Sequence, residues 1–192
     1  MPYASSDDFR RVFDEDMNSL YLLSFLLTAD HEKAEQCFVS GLEDAVDGNP
    51  VFREWARSWA RRAIIVDAVR AINPRPTEEN GRSSSASLSR NGKTAPVEQI
   101  EIAAVLALAP FERFVYVMTV LERYSDQDCS LVLGCARWDV VAARTRAFEQ
   151  IASAMASRSK QLPPASSEKP APDEPRSSLL ELLVGQRLAT SA

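Results

Sequence analysis

The chain has 192 residues, 45% of them hydrophobic, with a formal net charge of −5 and three cysteines. That length holds one ordinary domain or two small ones, and the apolar content suffices for globular cores. The charge is the wrong sign for a chain that binds DNA over its whole surface, so any such contact must rest on local basic clusters. No apolar run approaches the roughly 20 residues a bilayer span needs, and the opening MPYASSDDFRRVF has no signal-type stretch, so a cytoplasmic protein without a membrane partner is expected. Cys37, Cys129 and Cys135 are odd in number and sit in helical, mostly apolar surroundings, which argues for small buried side chains rather than a disulfide framework. With His31 the single histidine and no CxxC pair, no zinc site is expected.

In chain order, Phe9, Val12, Phe13, Leu20, Leu23 and Leu27 recur at three- and four-residue steps and predict a helix over 9–27 that buries one face, with an interruption near Asn18-Ser19. Asp30 is placed as N-cap of a second helix over 31–46 that carries Ala34, Cys37, Phe38 and Leu42 inward. Gly48-Asn49-Pro50 stops it, because proline disfavours the helical region for the residue before it. A long helix is predicted over 51–72, with Phe52, Trp55, Trp59, Ala63, Val66 and Val69 on its buried side. Arg53, Arg57 and Arg61 fall at four-residue steps on another side, joined by Arg62. This stripe reads equally as a solvated face paired to carboxylates such as Glu54 and Asp67, or as a surface turned toward nucleic acid. The two tryptophans read first as core anchors and second as base-stacking platforms.

The segment NPRPTEENGRSSSASLSRNGKTAP has Leu88 as its one large apolar residue, too little to offset the entropy of ordering it, so a flexible tether is expected over 73–97. Within 98–157 apolar residues again recur at helical spacing: Phe114, Val117, Met118 and Leu121, then Leu131 and Val132, then Val140, Val141 and Phe148. Tyr124-Ser125-Asp126 breaks the first run. Gly134 separates the last two, where a tight turn between packed helices calls for a positive φ. The pattern is a helix-turn-helix, with Arg137, Arg144 and Arg146 as a second basic cluster. A proline-rich linker over 158–176 and a short leucine-rich helix over 177–192, read either as a docking peptide or as a helix packed back on the preceding domain, complete the division.

Leu108-Ala109-Pro110, Ser125, Asp128, Leu133, Gly134, Val140, Arg146 and Ala147 sit in register with the C-terminal domain of the extracytoplasmic-function sigma factors of bacterial RNA polymerase, which this stretch resembles. The tract from Leu27 to Leu42 is similar to that family's "LxTxDxExAEDLVQETFL", and Phe52-Arg53-Glu54-Trp55 with Arg62 through Asp67 and Arg70 to its "FRxWLxxIARNxxIDxLRR". The resemblance implies an all-α chain: residues 1–72 form a sigma region-2-like bundle and residues 98–157 a region-4-like helix-turn-helix. It implies core RNA polymerase and promoter DNA as partners, an anti-sigma factor as a further one, and no cofactor. Residues Arg53, Arg57, Arg61 and Arg62 would then face the melted −10 region, and Arg137, Trp138, Arg144 and Arg146 the −35 duplex. Glu35, Gln36, Val39 and Ser40 would face polymerase.

The departures are chemical. Where the family presents Lys-Ser-Arg, this chain has Val141-Ala142-Ala143, and Asp139 would repel phosphate beside them. The docking tract has lost charge at Gln36, Val39 and Ser40, and Ala63 stands where the family has the asparagine of its "ARN" run. The expected function is therefore a divergent sigma factor, with the alternative of a sigma-like regulator that has lost promoter binding and acts through protein contacts. An enzyme is not expected, because the chain offers neither a base beside a nucleophile nor a Gly-rich phosphate loop.

Overall fold

Ser5, Asp30 and Ser125 cap the starts of three helices with their side chains, and Gly48 and Gly134 stand at the ends of two. The computed structural model describes residues 2–48, 50–76 and 97–159; residues 77–96 of the tether expected over 73–97, and everything expected beyond 159, the leucine-rich helix included, lie outside the described residues. Ser5 caps α1 (Ser6–Glu15) in a reciprocal capping box with Asp8. Phe9, Val12 and Phe13 of α1 are buried. The expected single helix over 9–27 breaks at Asp16, earlier than Asn18-Ser19, and resumes as α2 (Met17–Thr28). The reason is tertiary: the Asp16 carboxylate is engaged by Arg57 of a distant helix, with Nη1 at 2.6 Å from Oδ1. Helix α2 buries Leu20, Leu23, Ser24, Leu26 and Leu27, which marks it as a central helix, apolar on most of its circumference. It ends on Ala29 in the left-handed region (φ 55°), and Asp30 caps α3 (His31–Asp47) through a bond from the Lys33 amide at 2.9 Å.

Helix α3 buries a stripe of small residues, Ala34, Cys37, Gly41 and Ala45, and lays it against Ala56, Ala60, Ile64 and Ala68 of α4 (Ala56–Ile72). A Cβ added at Gly41 would lie 2.7 Å from Ile64 Cγ1 and 3.2 Å from the Ile64 amide, so glycine is what lets the two backbones approach. This corrects the expected buried face of the 51–72 segment. Arg53–Trp55 is a single 3-10 turn before α4, Trp55 is 56% exposed and Trp59 half-buried. Small side chains fill the close seam, and the indoles, too bulky for it, sit at its rim. Upstream, Tyr3 pairs with Phe52 in an antiparallel bridge and stacks on its ring at 5.2 Å.

After the undescribed segment come α5 (Val97–Leu106), then α6 (Pro110–Tyr116), which runs into a π turn over Val117–Leu121. Helix α7 (Asp126–Leu133) is capped by Ser125, and Gly134 takes φ 63° before α8 (Arg137–Ser159), as the turn chemistry required. Phe111, Phe114, Val117, Met118, Cys129, Val140, Ala143 and Ala147 are the buried heart of this part. Phe114, Val117, Met118 and Val140 were legible from spacing, whereas Leu121, Leu131, Val141 and Phe148 are exposed at 46%, 70%, 37% and 48%. On α7 and α8 the core side is taken by Cys129, Ala143 and Ala147, because helices this close admit small residues and turn the large ones outward.

The chain is all-α. Residues 1–159 cluster as one compact unit, in which α2 packs on α5, α6 and the π turn, and α4 packs on α7. Among the described residues no helix is long and apolar enough to cross a membrane.

Candidate functional site

Three surfaces hold the nominated residues. The first is the outer face of α3, where Glu35, Gln36, Val39 and Ser40 are all exposed and follow one another at helical spacing, Val39 at 49%. The fold does bring this group together. Its only large apolar member is Val39, so the patch offers a modest apolar centre with a polar border.

The second surface is the arginine row at the start of α4. Here the carboxylate partners are not Glu54 and Asp67 but acids of other elements. Arg53 pairs with Asp8 of α1 at 2.7 Å, and Arg57 with Glu15 and Asp16 at the α1–α2 break. Arg61 donates from Nε to Glu122 Oε2 at 2.6 Å and from Nη2 to Glu122 Oε1, and reaches Ser19 Oγ at 3.0 Å. The Glu122 side chain is 8% exposed, so this bidentate pair is the strongest of the row, and it holds the Arg61 guanidinium charged by raising its pKa. The pairs of Arg53 and Arg57 lie nearer the solvent and are screened by it, so they contribute little.

Burial pushes the Tyr124 phenol up, against the pull of the Arg62 guanidinium, which lies close enough to favour its ionised form. Arg62 and Tyr124, with Trp55, Trp59, Arg61 and Arg123, line an open groove of about 890 Å³ between α4 and the 121–124 strap. Arg123 takes φ 59°, a left-handed conformation in a non-glycine residue. The groove therefore combines aromatic faces and guanidinium groups with the carboxylates of Glu122 and Asp128, the first of them already paired to Arg61.

The third surface is the helix-turn-helix, α7 and α8. Arg137 and the 73%-exposed Trp138 stand at the start of α8, and Arg137 has no ion pair among the described residues. Arg144 and Arg146 are not brought together with them. Arg144 turns to Asp126 of α7, while Arg146 turns to Glu112 of α6 at 3.1 Å, on the other side of α8. Glu112 is 3% exposed and its second oxygen has no partner in the described structure. Removing Arg146 would leave that carboxylate buried and alone, so its first role is to hold α8 on α6.

The outward face of α8 is apolar instead of basic. Trp138, Val141, Thr145 and Phe148 lie along it, opposite the buried Val140, Ala143, Ala147 and Ile151. The Thr145 hydroxyl donates back to the Val141 carbonyl at 3.1 Å, which leaves it no need of an outside partner.

Sequence reasoning missed two groups. Glu122 was overlooked because its partner lies 61 residues away, which no local pattern reveals. Arg113 is 6% exposed and pairs with no carboxylate among the described residues; its guanidinium donates to the carbonyls of Leu27, Thr28, Leu106 and Leu108 at 3.1–3.4 Å. The signal was present: a lone cation inside the apolar run Phe114–Val117 and Phe111 must be satisfied internally. Among the described residues no group of three or more His, Cys, Asp or Glu could hold a metal ion.

No family model matches the chain, and no curated protein matches it. Among solved structures it is similar to the sigma factor RpoE from Bartonella quintana, in a co-crystal with the anti-sigma factor NepR. The identity is 16% and the TM-score 0.45, over 78% of this chain and 97% of that one.

Proposed function

We propose that this protein is a divergent sigma-type regulator of transcription initiation that works through protein contacts. It docks on core RNA polymerase with the outer face of α3, and it offers the outer face of α8 to a protein instead of to a promoter. The frame of the reading is the ordered resemblance of the two tracts, Leu27–Leu42 and 108–147, to the sigma family. The observation that carries its direction is the state of the α8 surface. The residues that would meet DNA bases are Val141, Thr145 and Phe148, Arg144 and Arg146 are held by Asp126 and Glu112, and Asp139 adds a negative charge beside the helix start. Affinity for duplex DNA comes mainly from Lys and Arg side chains that neutralise phosphates and set the DNA's condensed counterions free, and this face offers few such side chains.

A second reading, a sigma factor that still directs promoter recognition, is favoured by two observations. Arg137 and Trp138 are exposed at the N-terminal end of α8, where a recognition helix enters the major groove, with no ion pair to Arg137 among the described residues, and Arg62 and Arg123 line the aromatic groove beside α4. Purified protein is titrated against core polymerase, and the complex is tested on a promoter library with and without the protein. Submicromolar binding that weakens at least tenfold with Val39→Glu, with no new start sites, is the expected result. New salt-sensitive start sites that vanish with Arg137→Ala and Trp138→Ala establish the second reading. Absence of polymerase binding overturns both.

A further inference from the structure

We propose that α8 pairs with α8 of a second copy of this chain, side by side and parallel, through its outer apolar stripe; this rests on the reading of that face as a protein contact. A helix that buries one face and exposes polar residues on the other is complete as a surface helix. Helix α8 is not: Val140, Ala143, Ala147 and Ile151 fill the core side, and Trp138, Val141, Thr145, Phe148 and Ala152 form a second stripe opposite it. Those five residues are spaced three, four, three and four apart, the a and d positions of successive heptads, which is the pattern by which one helix meets another along its length. Trp138 at 73% and Val141 at 37% exposure are left open by the described residues, and Phe148, 48% exposed, meets Tyr116 of α6 edge-on (ring centroids 5.6 Å) and leaves its other side open.

The flanking charges choose the occupant and its direction. With Trp138 and Thr145 as a positions, Arg137 and Arg144 are g positions, and Ala142 and Glu149 are e positions. In a parallel pair each g residue meets the e residue five places on in its neighbour. Arg144 then faces Glu149 of the second copy, twice by symmetry, while Arg137 faces Ala142. In an antiparallel pair g faces g, which sets arginine against arginine. The sequence of α8 is thus complementary to itself in one orientation and repulsive in the other. Arg144 already bonds Asp126 through Nη1, and its remaining donors are available to a second carboxylate. Thr145, with its hydroxyl turned to Val141 O, adds no unmet polar group to the seam.

The test is sedimentation of the full chain over a concentration series, combined with oxidative cross-linking. The expected result is a concentration-dependent dimer. Trp138→Glu should abolish it, and Glu149→Arg should weaken it roughly tenfold or more, because each attraction becomes a repulsion. Both positions are exposed, so circular dichroism should show the fold unchanged. In-register parallel pairing places Val141 against its own counterpart, so Val141→Cys should give a disulfide-linked dimer that the parent chain, with its native cysteines, does not. A monomer at every concentration overturns the proposal, as does a dimer that survives Trp138→Glu without a Val141→Cys cross-link. A monomer in which Trp138→Glu weakens polymerase binding also overturns it, assigning the stripe to polymerase and leaving the proposed function standing.

Discussion

Replacing Arg113 by methionine should lower stability by about 2–4 kcal/mol, and the reasoning starts from four carbonyls. Leu27 and Thr28 belong to the last turn of α2 and Leu106 ends α5, where helical carbonyls have no partner in their own helix, and Leu108 lies in the bend just after it. One guanidinium serves both ends, at 3.1 Å from Leu108 O, 3.2 Å from Leu27 O, and a weaker 3.4 Å from Leu106 O and Thr28 O. A buried acceptor left without its donor costs roughly 1–3 kcal/mol, so the two shorter bonds set a loss of about 2–6 kcal/mol. Part is regained because methionine removes a desolvated cation, a burden seen in the lowered pKa of Arg113. For a chain of this size about 3 kcal/mol lowers Tm by roughly 6–12 °C. Thermal and urea unfolding followed by circular dichroism measure it, with Arg113→Lys expected to fall between the two, since a point charge reaches fewer carbonyls. Because the guanidinium ties helices before residue 72 to helices after 97, the transition of the methionine variant should also broaden. An unchanged Tm for Arg113→Met would refute the reasoning, showing that the carbonyls find other donors.

Three further outcomes are expected. Gly41→Ala should destabilise despite alanine's better helix propensity, since overpacking against Ile64 costs about 1–3 kcal/mol and the propensity gain returns only about 1, which urea midpoints will show. Burial, and then the charge of Asp44, raise the Asp67 pKa above 3.8 against the pull of Arg70, so the fold holds that proton more tightly than the unfolded chain. Stability from this group is full below the unfolded value and is lost as pH rises through the raised one; Asp67→Asn should stabilise near neutrality, and the gain should vanish by about pH 4. A gain that is the same at both pH values would contradict this. Finally, burial, with Asp126 and Asp128 adding to it, pushes the Cys129 thiol up to about 12, and burial also raises Cys37 and Cys135. A thiol reagent at mildly alkaline pH should label the half-buried Cys135 slowly and leave Cys37 and Cys129 until urea unfolds the chain.

The sequence alone determined the helical class, the Asp30 cap, the left-handed turn at Gly134 and the inward placement of Ala34, Cys37, Phe114 and Met118, because these depend on spacing and on local backbone chemistry. The family resemblance nominated Glu35, Gln36, Val39 and Ser40 together, and the structure shows all four exposed on α3. Only the tertiary structure decided which apolar residues face inward on α4, α7 and α8. There, close approach of neighbouring helices favours Ala60, Cys129 and Ala143 and turns Trp55, Leu131 and Phe148 out. Only it decided, too, that the arginines of both basic clusters are spoken for unequally: Arg61 by Glu122 and Arg146 by Glu112, while Arg137 has no ion pair among the described residues. A carboxylate partner 34 or 61 residues away leaves no trace in local spacing, since its choice depends on how the helices pack.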